Sequence, residues 1–215
     1  MHATPTPHPG QPFWDKTASK YARKPVGDPA GYEEKLARLA TLLRPTDRVL
    51  EIGCGTATTA LRLTPGVAHY TATDGSRGMI DIARSKLGPG APATITIQQA
   101  DSLADIEGAP FDAVCAFSLL HLVPDLPRLL DHVRRQVKPG GLFISKTVCI
   151  GDRGVLLRAL IPVLTAVGIA PYVSILRRDD LIRHLRAAGF EIEETTYFGA
   201  SRMSPFIVAR RPATE

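Results

Sequence analysis

Apolar positions recur at helical spacing over residues 13–23 and again over 31–43, with Asp28 and Pro29 where a helix start favours them. The period then changes. Residues 47–52 form a short apolar run that ends in glycines, which predicts a strand, and 56–63 return to helical spacing. The alternation continues with a strand at 69–73, a helix at 76–87, strands at 94–99 and 112–117, a helix at 127–137 and a strand at 141–147. Strands that alternate with helices predict a parallel sheet, right-handed crossovers and helices on both faces. After a helix at 179–188, stopped by Gly189, residues 190–197 and 204–210 are two β-rich runs joined by a polar loop containing Gly199. They predict a hairpin, and with it an antiparallel last strand on an otherwise parallel, doubly wound, seven-stranded α/β sheet.

Length and composition leave this picture intact. At 215 residues, with 44% hydrophobic and 22% charged positions, the chain fits one domain with a single sheet at its centre. Residues 1–12, with Pro5, Pro7, Pro9 and Pro12, read as a flexible tail, and 13–215 as one domain.

The formal net charge is +5, but its arginines are spread over several predicted helices and not gathered in one stripe. Solvated helix faces explain them better than a nucleic-acid footprint does. Three cysteines without CxxC spacing suggest neither a disulfide framework nor a metal site. With no signal-peptide pattern and no apolar run of bilayer length, a cytoplasmic location is expected.

The candidate chemistry gathers at the strand ends. Glu51-Ile52-Gly53-Cys54-Gly55-Thr56-Ala57 carries a strand into a turn without side chains, where a ligand can approach the backbone. A dinucleotide site would want a third glycine where Thr58 stands, and Glu51 suits an ammonium group better than a pyrophosphate. Asp74 closes the second strand ahead of Gly75, Ser76 and Met79, where a carboxylate can accept both hydroxyls of a ribose or cap the next helix. Asp101 follows the third strand, ahead of Ser102 and Leu103, where it can accept from an exocyclic amine.

In that order and spacing, Glu51-x-Gly53-x-Gly55, Asp74-x-Ser76-x-x-Met79, Gln99-Ala100-Asp101, Phe111-Asp112-x-Val114 and Lys138-Pro139-Gly140-Gly141 resemble the motifs of class I S-adenosylmethionine-dependent methyltransferases. The resemblance is to the small-molecule group that includes the ubiquinone and menaquinone enzymes. It departs from many relatives at Ala57, which stands where they carry a third glycine; a slight adjustment of the loop is expected.

The resemblance implies a Rossmann-like fold with S-adenosyl-L-methionine as cofactor. Glu51, Gly53, Cys54 and Gly55 would lie near its methionine part, covered by Tyr21, with Asp74, Gly75 and Ser76 at the ribose. Met79 would lie beside the adenine and Asp101, with the Ser102 and Leu103 backbone, at the adenine edge; Phe117 is a further implied cofactor-binding residue. The implied partner is a small, apolar or aromatic molecule methylated on oxygen, nitrogen or carbon. A lipid headgroup at a membrane surface, and a cofactor-binding protein without turnover, are the alternatives.

Because a sulfonium already activates its methyl group, alignment and exclusion of water suffice for transfer, and a base is optional. His121, just past the fourth strand, is the candidate base; Lys146 and Asp125 are weaker ones. The segment 152–174, apolar on more than one helical face and interrupted by Pro162, Gly168 and Pro171, reads as buried helix or as a cover over the acceptor.

Overall fold

The computed structural model describes residues 10–88, 90, 92–152, 165 and 170–214. Two helices, α1 (Gln11–Arg23) and α2 (Pro29–Leu42), precede strand β1 (Arg48–Ile52). Then come α3 (Thr58–Leu63), β2 (His69–Asp74), α4 (Arg77–Ser85), β3 (Ile95–Gln99) and β4 (Phe111–Phe117). The chain continues through α5 (Leu126–Gln136), β5 (Val137–Lys146), α6 (Arg178–Ala187), β6 (Glu191–Thr196) and β7 (Phe206–Arg210).

The strands form one seven-stranded sheet in the order β3-β2-β1-β4-β5-β7-β6. The β1, β2, β3, β4 and β5 neighbours pair in parallel, whereas β7 is antiparallel to both β5 and β6. The predicted α/β sheet and terminal hairpin are therefore present, with the last strand inserted between β5 and β6. Strand order reverses between β1 and β4, so a crevice opens beyond their carboxyl ends.

Helix starts follow from local chemistry. The Asp28 carboxylate accepts the Gly31 N–H at 3.0 Å ahead of Pro29 in the first turn of α2, and the Ser76 hydroxyl accepts the Met79 N–H at 3.2 Å at the start of α4. Asp125 accepts the Arg128 N–H at 3.1 Å and caps α5, and it does not line the crevice, which removes it from the candidate bases. Helix α1 starts at Gln11, two residues earlier than the sequence pattern suggests, because Pro12 in the first turn gives up only an N–H that would lack an intrahelical partner anyway.

Strand alternation divides the core. Leu50 and Ile52 of β1, with Val114 and Ala116 of β4, face α5 and α6 through Leu129, Leu130, Val133, Leu181 and Leu185. Val49, with Ala113 and Cys115 of β4 and Ile144 of β5, faces α2 and α3 through Leu36, Leu39, Ala60 and Leu63. Glu51 shares the Val49 face by its register, so its carboxylate is directed to the α2 side.

At the opposite ends of the strands, Asp112 accepts the Arg48 N–H at 2.8 Å and the Lys138 ammonium at 2.7 Å. Burial acts to raise its pKa, but these two donors outweigh it and hold the carboxyl below its ordinary value. β5 begins at Val137, not at Gly141: Val137 pairs with Phe111 and Leu142 with Ala113, so residues 138–141 bulge out between the two pairings. Two of the recurring motifs thus clamp the amino ends of strands and have no part in the crevice.

Of the proposed cover at 152–174, residues 153–164 and 166–169 lie outside the described residues, as do residues 1–9 of the expected tail. No helix among the described residues is long and apolar enough to cross a membrane.

Candidate active site

The turn after β1 is shaped by what it must admit. Gly53 and Gly55 have φ of +71° and +55°, a region closed to most side chains. A Cβ at Gly53 would sit 2.9 Å from the Leu119 side chain, whereas at Gly55 it would meet nothing nearer than Tyr21 at 3.9 Å. Gly53 therefore lets Leu119 approach, and Gly55 leaves open space above the turn.

Ala57 keeps the left-handed backbone that a glycine would adopt, with φ of +56° and no exposed surface. The alanine itself carries the strain of that left-handed backbone. Ala57→Val adds a β-branch at that φ and is expected to lower unfolding stability by about 1–3 kcal/mol, measured by chemical denaturation.

Asp74 ties the first two loops together. Its two carboxylate oxygens accept the Gly55 N–H at 2.9 Å and the Ser76 N–H at 2.8 Å. A carboxylate offers about four lone-pair sites, so these bonds orient it without exhausting it. Helix α1 holds the same loop from above: Asp15 accepts the Ser76 hydroxyl at 2.6 Å and the Gly78 N–H at 3.1 Å. The Gln11 and Gln99 amides both donate to the Gly75 carbonyl.

Tyr21 of α1 stands over Gly55, edge-on to Trp14 with ring centroids 5.9 Å apart. Its phenol pKa is raised by burial and then by the charges of Asp74 and Glu51. Cys54 is likewise pushed well above its ordinary value, by burial first and by the same two carboxylates, so it is a neutral thiol and a poor nucleophile.

Glu51 is buried and accepts the Tyr70 hydroxyl at 2.9 Å. Burial raises its pKa to about 7, against the opposing pull of Lys35. Lys35 comes from α2, is 5% exposed, and has its pKa lowered to about 8, chiefly by burial. Its ammonium donates to the Thr59 hydroxyl at 3.2 Å and lies 4.6 Å from the Tyr32 ring centre and 4.3 Å from that of Phe117.

Past β4, Ser118 takes a left-handed φ of +55° and the chain turns through Leu120–Leu122. His121 is buried there, and its Nδ1 has no hydrogen-bond partner among the described residues. Burial lowers its pKa to about 4, which makes it a neutral imidazole at physiological pH.

Most of these groups line one cavity of about 670 Å³, whereas Asp15, Ala57, Tyr70 and Gln99 support its walls from behind. Of the residues named from the sequence, Tyr21, Glu51, Gly53, Cys54, Gly55, Asp74, Gly75, Ser76, Met79, Asp101, Ser102, Phe117, His121 and Lys146 line it. Leu103 does not: its N–H turns back to Asp101 at 2.9 Å and its side chain packs against the core. Gln11, Trp14 and Lys35 line the cavity as well, and no motif of the sequence announces them. Among the described residues no cluster of side chains is suited to hold a metal ion.

Residues 26–195 match the family model described as a methyltransferase domain. The chain belongs to the class I S-adenosylmethionine-dependent methyltransferases. This methyltransferase is 32% identical over 154 residues to a ubiquinone biosynthesis O-methyltransferase of Xylella fastidiosa, across 69% of this chain and 63% of that one. It is 34% identical over 134 residues to a highly reducing polyketide synthase of Leptosphaeria maculans, across 56% of this chain and 5% of the synthase. It therefore spans less than two thirds of either relative. Its fold matches that of an S-adenosylmethionine-dependent methyltransferase from Mesorhizobium loti with a TM-score of 0.68 at 20% identity, over 85% of this chain and 99% of that one.

Proposed function

We propose that this enzyme transfers the methyl group of S-adenosylmethionine to an oxygen, nitrogen or carbon of a small, apolar or aromatic molecule. The reading rests above all on the extent of the cavity. It runs from Asp101 beyond β3 to Lys146 at the end of β5, four strand spacings or about 19 Å. A nucleoside at one end leaves room for an acceptor at the other. The relatives named for ubiquinone biosynthesis and polyketide synthesis point toward the same kind of acceptor.

The residues present suit the cofactor. Gly55 gives an open approach to the backbone, Asp74 offers acceptors for two ribose hydroxyls, and Asp101 offers one for an exocyclic amine. Met79 and Ser102 line the same end as apolar and polar walls, and Tyr21 covers the turn. When bound, the cofactor supplies an electrophilic methyl group. The protein then has to orient an acceptor lone pair and keep water away, which α1 and the apolar side chains of Phe117, Leu119 and Val173 favour.

His121 serves as the hydrogen-bond acceptor for the proton of the attacking group, since its neutral imidazole lines the cavity at the β4 end and its buried Nδ1 has no partner among the described residues. His121→Ala is expected to lower kcat on the order of 100-fold, while the affinity for S-adenosylhomocysteine, measured by calorimetry, stays within about twofold. Unchanged kcat would remove His121 from the chemistry. Because the imidazole already stays neutral down to about pH 4, no loss of activity between pH 7 and 5 should depend on it.

A further inference from the structure

The two ends of the cavity differ in charge: the β2 and β3 end presents carboxylates, and the β4 and β5 end adds two lysines. Asp74 and Asp101 gather where β2 and β3 end, whereas Lys35 and Lys146 gather against the ends of β4 and β5. Phe117 and Lys146 are register partners on neighbouring strands, so they project to the same face, which is the face that α2 covers. Lys35 reaches down from α2 onto the Phe117 ring from that side.

Neither ammonium forms an ion pair among the described residues. Of the three N–H donors of Lys35 one goes to Thr59, and among the described residues the others have no oxygen or nitrogen partner. The Lys146 ammonium has neither a hydrogen bond nor an ion pair among the described residues, although the side chain is half buried. Glu51 faces Lys35 and Asp28 faces Lys146, and each attracts its lysine without forming an ion pair among the described residues; Glu51 accepts from Tyr70, and Asp28 from the Gly31 N–H at the start of α2. Cys115, the other titratable group facing Lys35, is held as a neutral thiol by its burial. Two cations drawn out of water beside an apolar ring, each with ammonium N–H donors that no oxygen of the described residues takes up, describe a site that an anion completes.

We propose that Lys35 and Lys146 bind a carboxylate of the methyl acceptor, whose planar body lies along Phe117, so that the substrate class is small aromatic or conjugated carboxylic acids. This rests on the reading of the cavity as a joint cofactor and acceptor site. A carboxylate could also come from the methionine part of the cofactor, but Lys146 lies two strands from the glycine turn and three from Asp74, about 10 and 14 Å. That places Lys146 on the acceptor's side, with Lys35 reaching between it and the start of α3 through the Phe117 ring and Thr59. Desolvation lowers the pKa of both amines, as it must for cations awaiting a counter-ion, and the bound anion should restore them.

The test uses 4-hydroxybenzoate and the matching amide, 4-hydroxybenzamide, as probes of equal shape and different charge. Calorimetry is run on the full chain saturated with S-adenosylhomocysteine. The acid is expected to bind about 10- to 100-fold more tightly than the amide, and Lys146→Met should bring the ratio close to one with S-adenosylhomocysteine affinity unchanged. Lys35→Met should do the same where it folds; Lys146, half exposed, keeps the test valid if it does not. Equal binding of the two probes, or binding of neither beside bound S-adenosylhomocysteine, overturns the proposal alone. Failure of S-adenosylhomocysteine itself to bind overturns the cofactor reading and the proposal with it. If Lys146→Met weakens S-adenosylhomocysteine but not a decarboxylated analogue, the lysines serve the cofactor and the acceptor proposal falls.

Discussion

Asp74→Ala is expected to weaken S-adenosylhomocysteine binding at least about 100-fold, since two hydrogen bonds from ribose hydroxyls to a charged group are each worth about 1.5–3 kcal/mol. The same substitution strips the Gly55 and Ser76 N–H groups of their acceptor, so the glycine turn and the start of α4 lose their common tie. Asp74→Asn separates the two contributions. It keeps one oxygen acceptor and nearly the same shape, so it retains one of the two loop bonds and should destabilise the fold less than alanine does while still losing most of the affinity. Calorimetry for binding and thermal unfolding for the fold read the two effects independently. Normal binding by Asp74→Ala would show that the ribose lies elsewhere.

Glu51→Ala should have the largest effect on stability, a loss of about 3–5 kcal/mol, because it leaves the buried Lys35 ammonium and the Tyr70 hydroxyl without their carboxylate. Glu51→Gln retains an oxygen for Tyr70 and should lose less. The pH dependence has a definite sign. Folding raises the Glu51 pKa from 4.5 to about 7, so the stability linked to it is complete below 4.5 and is lost as pH rises through 7. Folding lowers the Lys35 pKa from 10.5 to about 8, so its contribution is complete above 10.5 and is lost as pH falls through 8. The pair thus opposes folding most between about pH 7 and 8. Unfolding midpoints of the wild-type protein should decline from pH 5 to 7, and Glu51→Gln should flatten that decline. A wild-type midpoint that rises over the same range would contradict the burial argument.

The order of strands and helices could be read from the sequence because a period of two and a period near 3.6 alternate cleanly and glycines punctuate the turns. Gly53, Gly55, Asp74 and Asp101 were legible for a related reason: parallel topology brings successive strand ends to one edge of the sheet, so residues far apart in the chain must converge there. Lys35 was not legible. Its spacing to Leu36 and Leu39 puts it on the buried stripe of α2, but a lysine there is ordinarily read as reaching out to solvent, and only the docking of α2 over Glu51 and Phe117 holds its ammonium inside. Nor was the role of α1, whose Gln11 and Asp15 find their partners more than sixty residues on, at Gly75, Ser76 and Gly78. Leu103 was misplaced because the reach of Asp101 to its own loop decides which way that N–H turns. At Lys138-Pro139-Gly140-Gly141 the motif is real, but it builds a bulge at the far end of the sheet and not a ligand contact.

The central claim is that the cofactor's methyl group leaves for a small molecule held at the β4 and β5 end of the cavity. Its most direct test incubates the protein with S-adenosylmethionine labelled in the methyl group and a fractionated pool of small organic acids and phenols, with products read by mass spectrometry. The account predicts label in a discrete small molecule, stoichiometric S-adenosylhomocysteine, and neither product with Asp74→Ala. Bound S-adenosylmethionine that is returned intact across the whole pool, with no labelled product, would contradict it.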